Sequence, residues 1–104
     1  MILFSGIKFT KISGIALWPF VFTKPKWPNE TLLNHEKIHL RQQKEMLLVF
    51  FYVWYLTEWA IRYLKTKDFD KAYRSICFEK EAFSNENDLT YLQKRKVWSF
   101  LKYL

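Results

Sequence analysis

The chain predicts a mostly helical α+β domain with a small N-terminal antiparallel β ribbon. Three observations carry that expectation. Residues 1–22 are rich in Ile, Phe, Thr and Val and contain both glycines of the chain, Gly6 and Gly14. Beyond Pro28 nothing breaks a helix for more than thirty positions, to about Leu64. Two polar breaks, Lys65-Thr66-Lys67-Asp68 and Asn85-Glu86-Asn87-Asp88, set off two further helical stretches in the C-terminal part of the chain. A length of 104 residues suits one domain with one modest core.

The ribbon is expected first. Gly6-Ile7-Lys8-Phe9-Thr10-Lys11-Ile12 alternates apolar and polar with period two, the pattern of a half-buried strand. Ser13-Gly14 reads as a turn into Ile15-Ala16-Leu17-Trp18. Pro19 interrupts that run before Phe20-Val21-Phe22, and a proline inside a strand implies an edge or a bulge. A hairpin or a three-stranded ribbon followed by a proline loop therefore occupies 1–28.

Asn29 is placed to cap the next helix, with Glu30 favourable in its first turn. This helical stretch, 29–64, is one long helix or two with a kink near Phe50-Phe51-Tyr52. At helical spacing His35, His39, Gln42, Met46, Val49 and Val53 share a stripe. Leu33, Leu40, Leu47 and Phe51 form a second, which predicts burial on several sides. The third stretch, 68–86, is capped by Asp68 or Asp70. The last, 88–104, is capped by Asp88, with Leu89, Leu92, Val97, Phe100, Leu101 and Leu104 inward and Lys94, Arg95 and Lys102 outward.

The chemistry lies in the second stretch. His35-Glu36-Lys37-Ile38-His39 reads H-E-x-x-H, and its histidines are the only two in the chain. Residues four apart share a helical face, so His35 and His39 can grip one Zn²⁺ through imidazole nitrogens. Glu36, about 100° round the helix from His35, is placed as general base for a metal-activated water. A zinc peptidase site needs a third protein ligand, and with no histidine left it must be a carboxylate. Ala72, Ile76, Glu79 and Phe83 form the apolar stripe of 68–86, so Glu79 points inward and ranks first. Glu86 returns to the same face at a fraying end and ranks second. Glu81, turned toward solvent beside Arg74, ranks last.

These residues resemble the gluzincin zinc metallopeptidases: strand, H-E-x-x-H helix, then a separate helix presenting glutamate. The minigluzincins are about this size. Glu79-Lys80-Glu81-Ala82-Phe83 is similar to the E-x-x-A-D motif of the membrane prenyl-protein peptidases, whose first glutamate is the metal ligand and maps onto Glu79. His35 to Gln43 is similar to the H-E-x-x-H-x-x-Q-Q segment of small bacterial zinc-peptidase-like domains. The resemblance covers the two helices, about a third of the chain. It implies a zincin-like active-site helix plus a glutamate helix, zinc held by His35, His39 and Glu79, and a peptide or protein substrate. Phe83 stands where the pattern has Asp, so a different side chain must orient a histidine. Gln42, Gln43 and Asn34 are the candidates by position. Tyr73, Arg74 and Tyr91 are the candidate donors to a developing oxyanion.

Composition sets the alternatives. A net charge of +7 with 20% aromatics favours acidic partners. The Lys and Arg are dispersed without a long basic run, which argues against a nucleic-acid surface; peripheral membrane contact through the aromatics stays open. A zinc-binding module without catalysis is the second reading, and a basic binding protein with an incidental motif is the third. The single cysteine, Cys77, excludes an internal disulfide and reads as a small core residue in a reducing compartment. Met1-Ile2-Leu3-Phe4 lacks a basic n-region and the longest apolar run, Met46 to Leu56, ends at Thr57-Glu58. Neither a signal peptide nor a span is expected, and the expected location is cytoplasmic.

Overall fold

The structure is a computed structural model, and it describes residues 1–9 and 12–104. It is a mostly helical α+β fold. A three-stranded sheet of β1 (Ile2–Phe4), β2 (Gly14–Leu17) and β3 (Phe20–Thr23) has the order β1-β3-β2. Five helices come after it: α1 (Glu30–Glu45), α2 (Val49–Thr66), α3 (Phe69–Ser75), α4 (Cys77–Asn85) and α5 (Tyr91–Lys94). A 3-10 turn, Ser99–Tyr103, closes the chain.

The sheet corrects the expected ribbon in two respects. The first strand is Ile2–Phe4, whereas residues 6–9 and Ile12 lie outside any strand; Thr10 and Lys11 lie outside the described residues. The sheet is also mixed: β2 runs antiparallel to β3, while β1 runs parallel to it, with Ile2 opposite Phe20 and Phe4 opposite Phe22. A Phe4–Phe22 stack at 5.3 Å and Phe20 beside it reward that pairing. Trp18-Pro19, a cis peptide bond, makes the β2–β3 turn and explains why proline sits between two strands.

Asn29 caps α1 as expected, its Oδ1 accepting from Leu32 N at 2.8 Å. The 29–64 stretch is two helices, parted at Met46–Leu48 rather than at 50–52. Leu47 and Leu48 adopt φ of 53° and 60°, a left-handed turn that ordinarily favours glycine. The turn's hydrogen bonds, Leu47 N to Lys44 O and Leu48 N to Gln43 O, close α1. The break alters the stripes. His35, His39, Gln42 and Met46 are buried, but Val49, Val53 and Leu47 are exposed.

The 68–86 stretch is likewise two helices. Asp68 caps α3 through Lys71 N, and Ile76 is extended (ψ 135°) between α3 and α4. The free N-terminus of α4 finds its acceptor on α2: Cys77 N donates to Glu58 Oε2 at 3.0 Å. Ala72, Ile76 and Glu79 remain inward across the break. The last stretch is not one helix: α5 and the 3-10 turn are separated by extended Arg95 and left-handed Trp98. Arg95, expected outward, has its side chain fully buried.

Two cores flank the site. Ala16, Val21 and Leu40 join the sheet to α1, and Met46, Phe51, Ile76, Cys77, Phe78 and Phe100 join α1, α2, α4 and the C-terminal turn. Cys77 is a core thiol as expected. Gln43 fastens the sheet to α1, its amide donating to Ala16 O at 2.6 Å and accepting from Trp18 N at 2.7 Å. That side chain does for the outer edge of β2 what a neighbouring strand would do. Among the described residues no helix is long and apolar enough to cross a membrane.

Candidate metal centre

Helix α1 places His35 and His39 one turn apart, and α4 meets it with Glu79. The ring Nε2 atoms of His35 and His39 lie 3.2 Å apart, and Glu79 Oε1 lies 3.1 Å from the first and 3.0 Å from the second. All three residues are buried.

The bonds behind each ring assign its tautomer. His35 Nδ1 is 2.6 Å from Glu86 Oε2, a carboxylate that only accepts, so Nδ1 carries the proton. His39 Nδ1 faces Gln42 Oε1 at 2.8 Å. The orientation of that amide is fixed, because its Nε2 donates to Phe78 O at 3.1 Å and Glu81 Oε1 at 2.9 Å. Nε2 is therefore the nitrogen that each ring turns toward Glu79 Oε1. Three such atoms this close need a proton or a metal ion among them. A metal about 2.0–2.1 Å from each tetrahedral ligand sets the ligands roughly 3.3 Å apart, and the observed near-equilateral triangle fits such an ion.

The supporting groups come from unexpected places. Glu86 does not join the triangle; it orients His35 from behind. It thereby takes the task left vacant by Phe83, whose ring packs against His35 at 4.5 Å and carries the Arg74 guanidinium 4.6 Å from its centroid. Of the three amide candidates only Gln42 touches a histidine. Gln43 holds β2, and Asn34 ties down 85–88 through the carbonyls of Asn85, Glu86 and Asp88. Glu81, expected toward solvent, is fully buried and bound by Arg95 Nε and Nη2 and by Tyr91. Arg95 also reaches Glu45 at 2.6 Å. The reversal has a plain cause: the C-terminal segment folds over α4, and its guanidinium supplies the counter-charge that lets the carboxylate go inside. Tyr55 of α2 was not legible as a site residue, yet its hydroxyl donates to Glu79 Oε2 at 2.7 Å and leaves Oε1 facing the histidines. Its only sequence signal is the inward spacing Phe51, Tyr55, Glu58.

No family model, curated protein or solved structure matches the chain. Function must therefore be read from the geometry of the site.

Glu36 is 2% exposed, and its Oε2 has no hydrogen-bond partner among the described residues. Burial pushes its pKa up, against the pull of His39 and His35. Two clefts meet at this carboxylate, sharing Ile12, Gly14, Glu36 and Tyr73. One, of about 280 Å³, is walled by Ile15, Leu17, Tyr52, Tyr55 and Leu56 and reaches His39 and Glu79. The other, of about 350 Å³, is polar, with Asn29, Asp70, Arg74 and Glu86 in its lining. Gly14 keeps the junction open: a Cβ there would sit 3.5 Å from Glu36 Oε1 and 3.2 Å from Phe22 O.

The titration pattern reflects burial and pairing. Burial disfavours the His39 cation, but adjacent Glu79 outweighs it and lifts the pKa to about 9. Burial disfavours the Glu79 anion as well, yet His39 and the two imidazole bonds hold its pKa below the ordinary value. Without a metal the pair keeps a proton, which a metal bound there would have to displace. Burial, then the Glu79 charge, keeps the Tyr55 and Tyr73 phenols protonated and hence donors. Tyr73 stands at the junction beside Glu36. Arg74 is engaged with Asp70 at 3.2 Å, and Tyr91 is spent on Glu81.

Proposed function

We propose that this domain is a zinc-dependent peptidase, with His35, His39 and Glu79 as the metal ligands and Glu36 as general base. The proposal extends the gluzincin resemblance of the two helices to the chemistry of the site. One observation carries it: a buried, unpartnered carboxylate oxygen on Glu36, beside the ligand triangle and at the meeting point of two clefts. A metal site serving only to hold the fold has no use for such a group, because burying an unpaired polar atom costs about 1–3 kcal/mol. A hydrolase needs it, as the acceptor for a proton from the attacking water.

The bound zinc would supply Lewis acidity, acidifying water and polarising a carbonyl. The chain's own groups do the rest. Glu36 Oε2 takes the proton of the attacking water and delivers it to the leaving amine. Glu86 and Gln42 keep both imidazoles in the tautomer that offers Nε2, and Tyr55 holds Glu79 to a single donor oxygen. Tyr73, which lines both clefts, is the candidate donor to the developing oxyanion. A peptide can extend from the junction into both clefts, an apolar side chain filling the one walled by Ile15, Leu17 and Leu56.

The experiment is hydrolysis of a peptide library by zinc-loaded protein and by Glu36→Gln. The expected result is cleavage by the wild type and a loss of about 10²–10⁴-fold in the variant, with zinc content unchanged. Equal zinc in both proteins and no cleavage by either would instead favour a non-catalytic metal module.

A further inference from the structure

A further groove lies away from the candidate metal centre. It has a volume of about 910 Å³ and runs along α2 from Met46 and Leu47 to Lys65, with Trp98 and Leu104 on its far wall. Helix α2 turns an uncharged face to solvent. At about 100° per residue, Phe50, Val53, Leu56, Thr57, Ile61 and Leu64 fall on one exposed arc, and that arc carries no charge. Phe50, Val53 and Leu64 are 63%, 60% and 73% exposed. The Leu47 corner extends the patch at 71% exposed. A contiguous apolar face of this kind marks an interaction surface.

Charge identifies the occupant. The groove contains two carboxylates, and both are consumed inside the protein. Glu58 accepts from Cys77 N and Trp54 Nε1 and pairs with Arg62, and Glu45 pairs with Arg95. Arg62 in the lining is spent on Glu58, whereas Lys65, also in the lining, and Lys67 at the end of α2 have no ion pair among the described residues. The rim is therefore cationic, on a chain of net charge +7. A second copy of this chain would bring like charge to the same rim, whereas an anionic bilayer brings the opposite charge and a hydrocarbon boundary together. Trp54 and Trp98 in the groove are of the residue type that settles at such boundaries.

We infer that the exposed face of α2 docks on anionic membrane surfaces, with Phe50, Val53 and Leu64 entering the headgroup–acyl boundary and Lys65 meeting lipid phosphates. The helix lies on the bilayer, and the body of the domain takes the place of its polar face. Leu56 borders this face and also lines the apolar cleft at Glu36, so docking turns the mouth of that cleft toward the bilayer. The docking does not depend on the chemistry at Glu36.

The test is co-sedimentation with phosphatidylcholine vesicles with and without phosphatidylglycerol, for the wild type, the double variant Val53→Asp/Leu64→Asp, and Lys65→Glu. All three positions are at the surface, so far-UV circular dichroism and zinc content should match the wild type. The expected result is binding that requires phosphatidylglycerol, weakens as salt is raised, falls at least tenfold in the double variant and falls measurably in Lys65→Glu. Three results would overturn the inference. The wild type could fail to sediment with anionic vesicles. The double variant could bind as tightly as the wild type. Or lipid-free sedimentation velocity could show a dimer that the double variant dissolves, which would assign the face to a second copy.

Discussion

Glu86 shows how far a single side chain can depart from the role its position implies. By helical phase it competes with Glu79 for the metal. In the folded chain its Oε2 meets His35 Nδ1 at 2.6 Å, and only Glu79 faces the ring Nε2 atoms. Glu86→Gln keeps the shape but gives up the charged acceptor, so its amide can turn a donor toward Nδ1 and weaken the tautomer preference. Zinc affinity, measured by competition with a chromophoric chelator, is expected to fall about 10–100-fold, with no change in helical content. An unchanged affinity would mean that His35 is oriented without it. The triad His35, His39 and Glu79 was legible because each residue lies on the inward face of its own helix. The tautomer-setting groups were less so: Glu86 and Gln42 are near neighbours of the motif, but Tyr55 and Arg95 reach it only through tertiary packing.

At the scale of elements, the site depends on how the C-terminal segment covers α4. Arg95 joins Glu81 to Glu45, and Glu81 in turn fixes the Gln42 amide behind His39. Burial opposes the Glu81 charge, but the bonds from Arg95, Tyr91 and Gln42 win and hold its pKa below the ordinary value of 4.5. A depressed folded pKa gives stability that is complete above about pH 4.5 and is lost as the pH falls below it. Glu81→Gln leaves Arg95 with Glu45 alone. Urea denaturation at pH 7 is expected to show a loss of about 3 kcal/mol, together with a flatter decline in stability on the acid side. A variant with the wild-type acid profile would remove Glu81 from that linkage. This cover was invisible to periodicity, which treated 88–104 as one helix and turned Arg95 outward. The same limit applied where α1 gives way to α2, because Leu47 and Leu48 adopt left-handed backbone without the glycine or asparagine that would announce it. Caps were easier to find: Asn29 and Asp68 bond the helix starts they precede.

For the whole molecule, the candidate metal centre would also act as a clasp. The sheet and α1 pack around Ala16, Val21 and Leu40, and the second core gathers α2, α4 and the C-terminal turn around Phe78, with only Met46 at the end of α1 reaching into it. His35 and His39 belong to α1 and Glu79 to α4. An ion bound across them stabilises only the folded arrangement, by roughly 2.7 kcal/mol at free zinc 100-fold above Kd. For a domain of this length that raises Tm by about 10–20 °C, and chelator should reverse it in differential scanning calorimetry. An identical Tm with zinc and with chelator would show that the two helices are held together without it. The fold class was readable from the contrast between residues 1–22 and the uninterrupted helical stretch after Pro28. The parallel placement of β1 was not, because three residues carry no record of which strand they will join.

The most direct measurement is a zinc titration of the wild type and of Glu79→Gln, completed by competition with a chromophoric chelator. The variant keeps the shape of the side chain and removes the negative ligand at the apex of the triangle. One zinc per wild-type chain is expected, with an affinity at least 100-fold weaker in Glu79→Gln and matching circular dichroism spectra. A folded wild-type chain that takes up no zinc, or a variant that binds it as tightly, would mean that the triangle is not a zinc site.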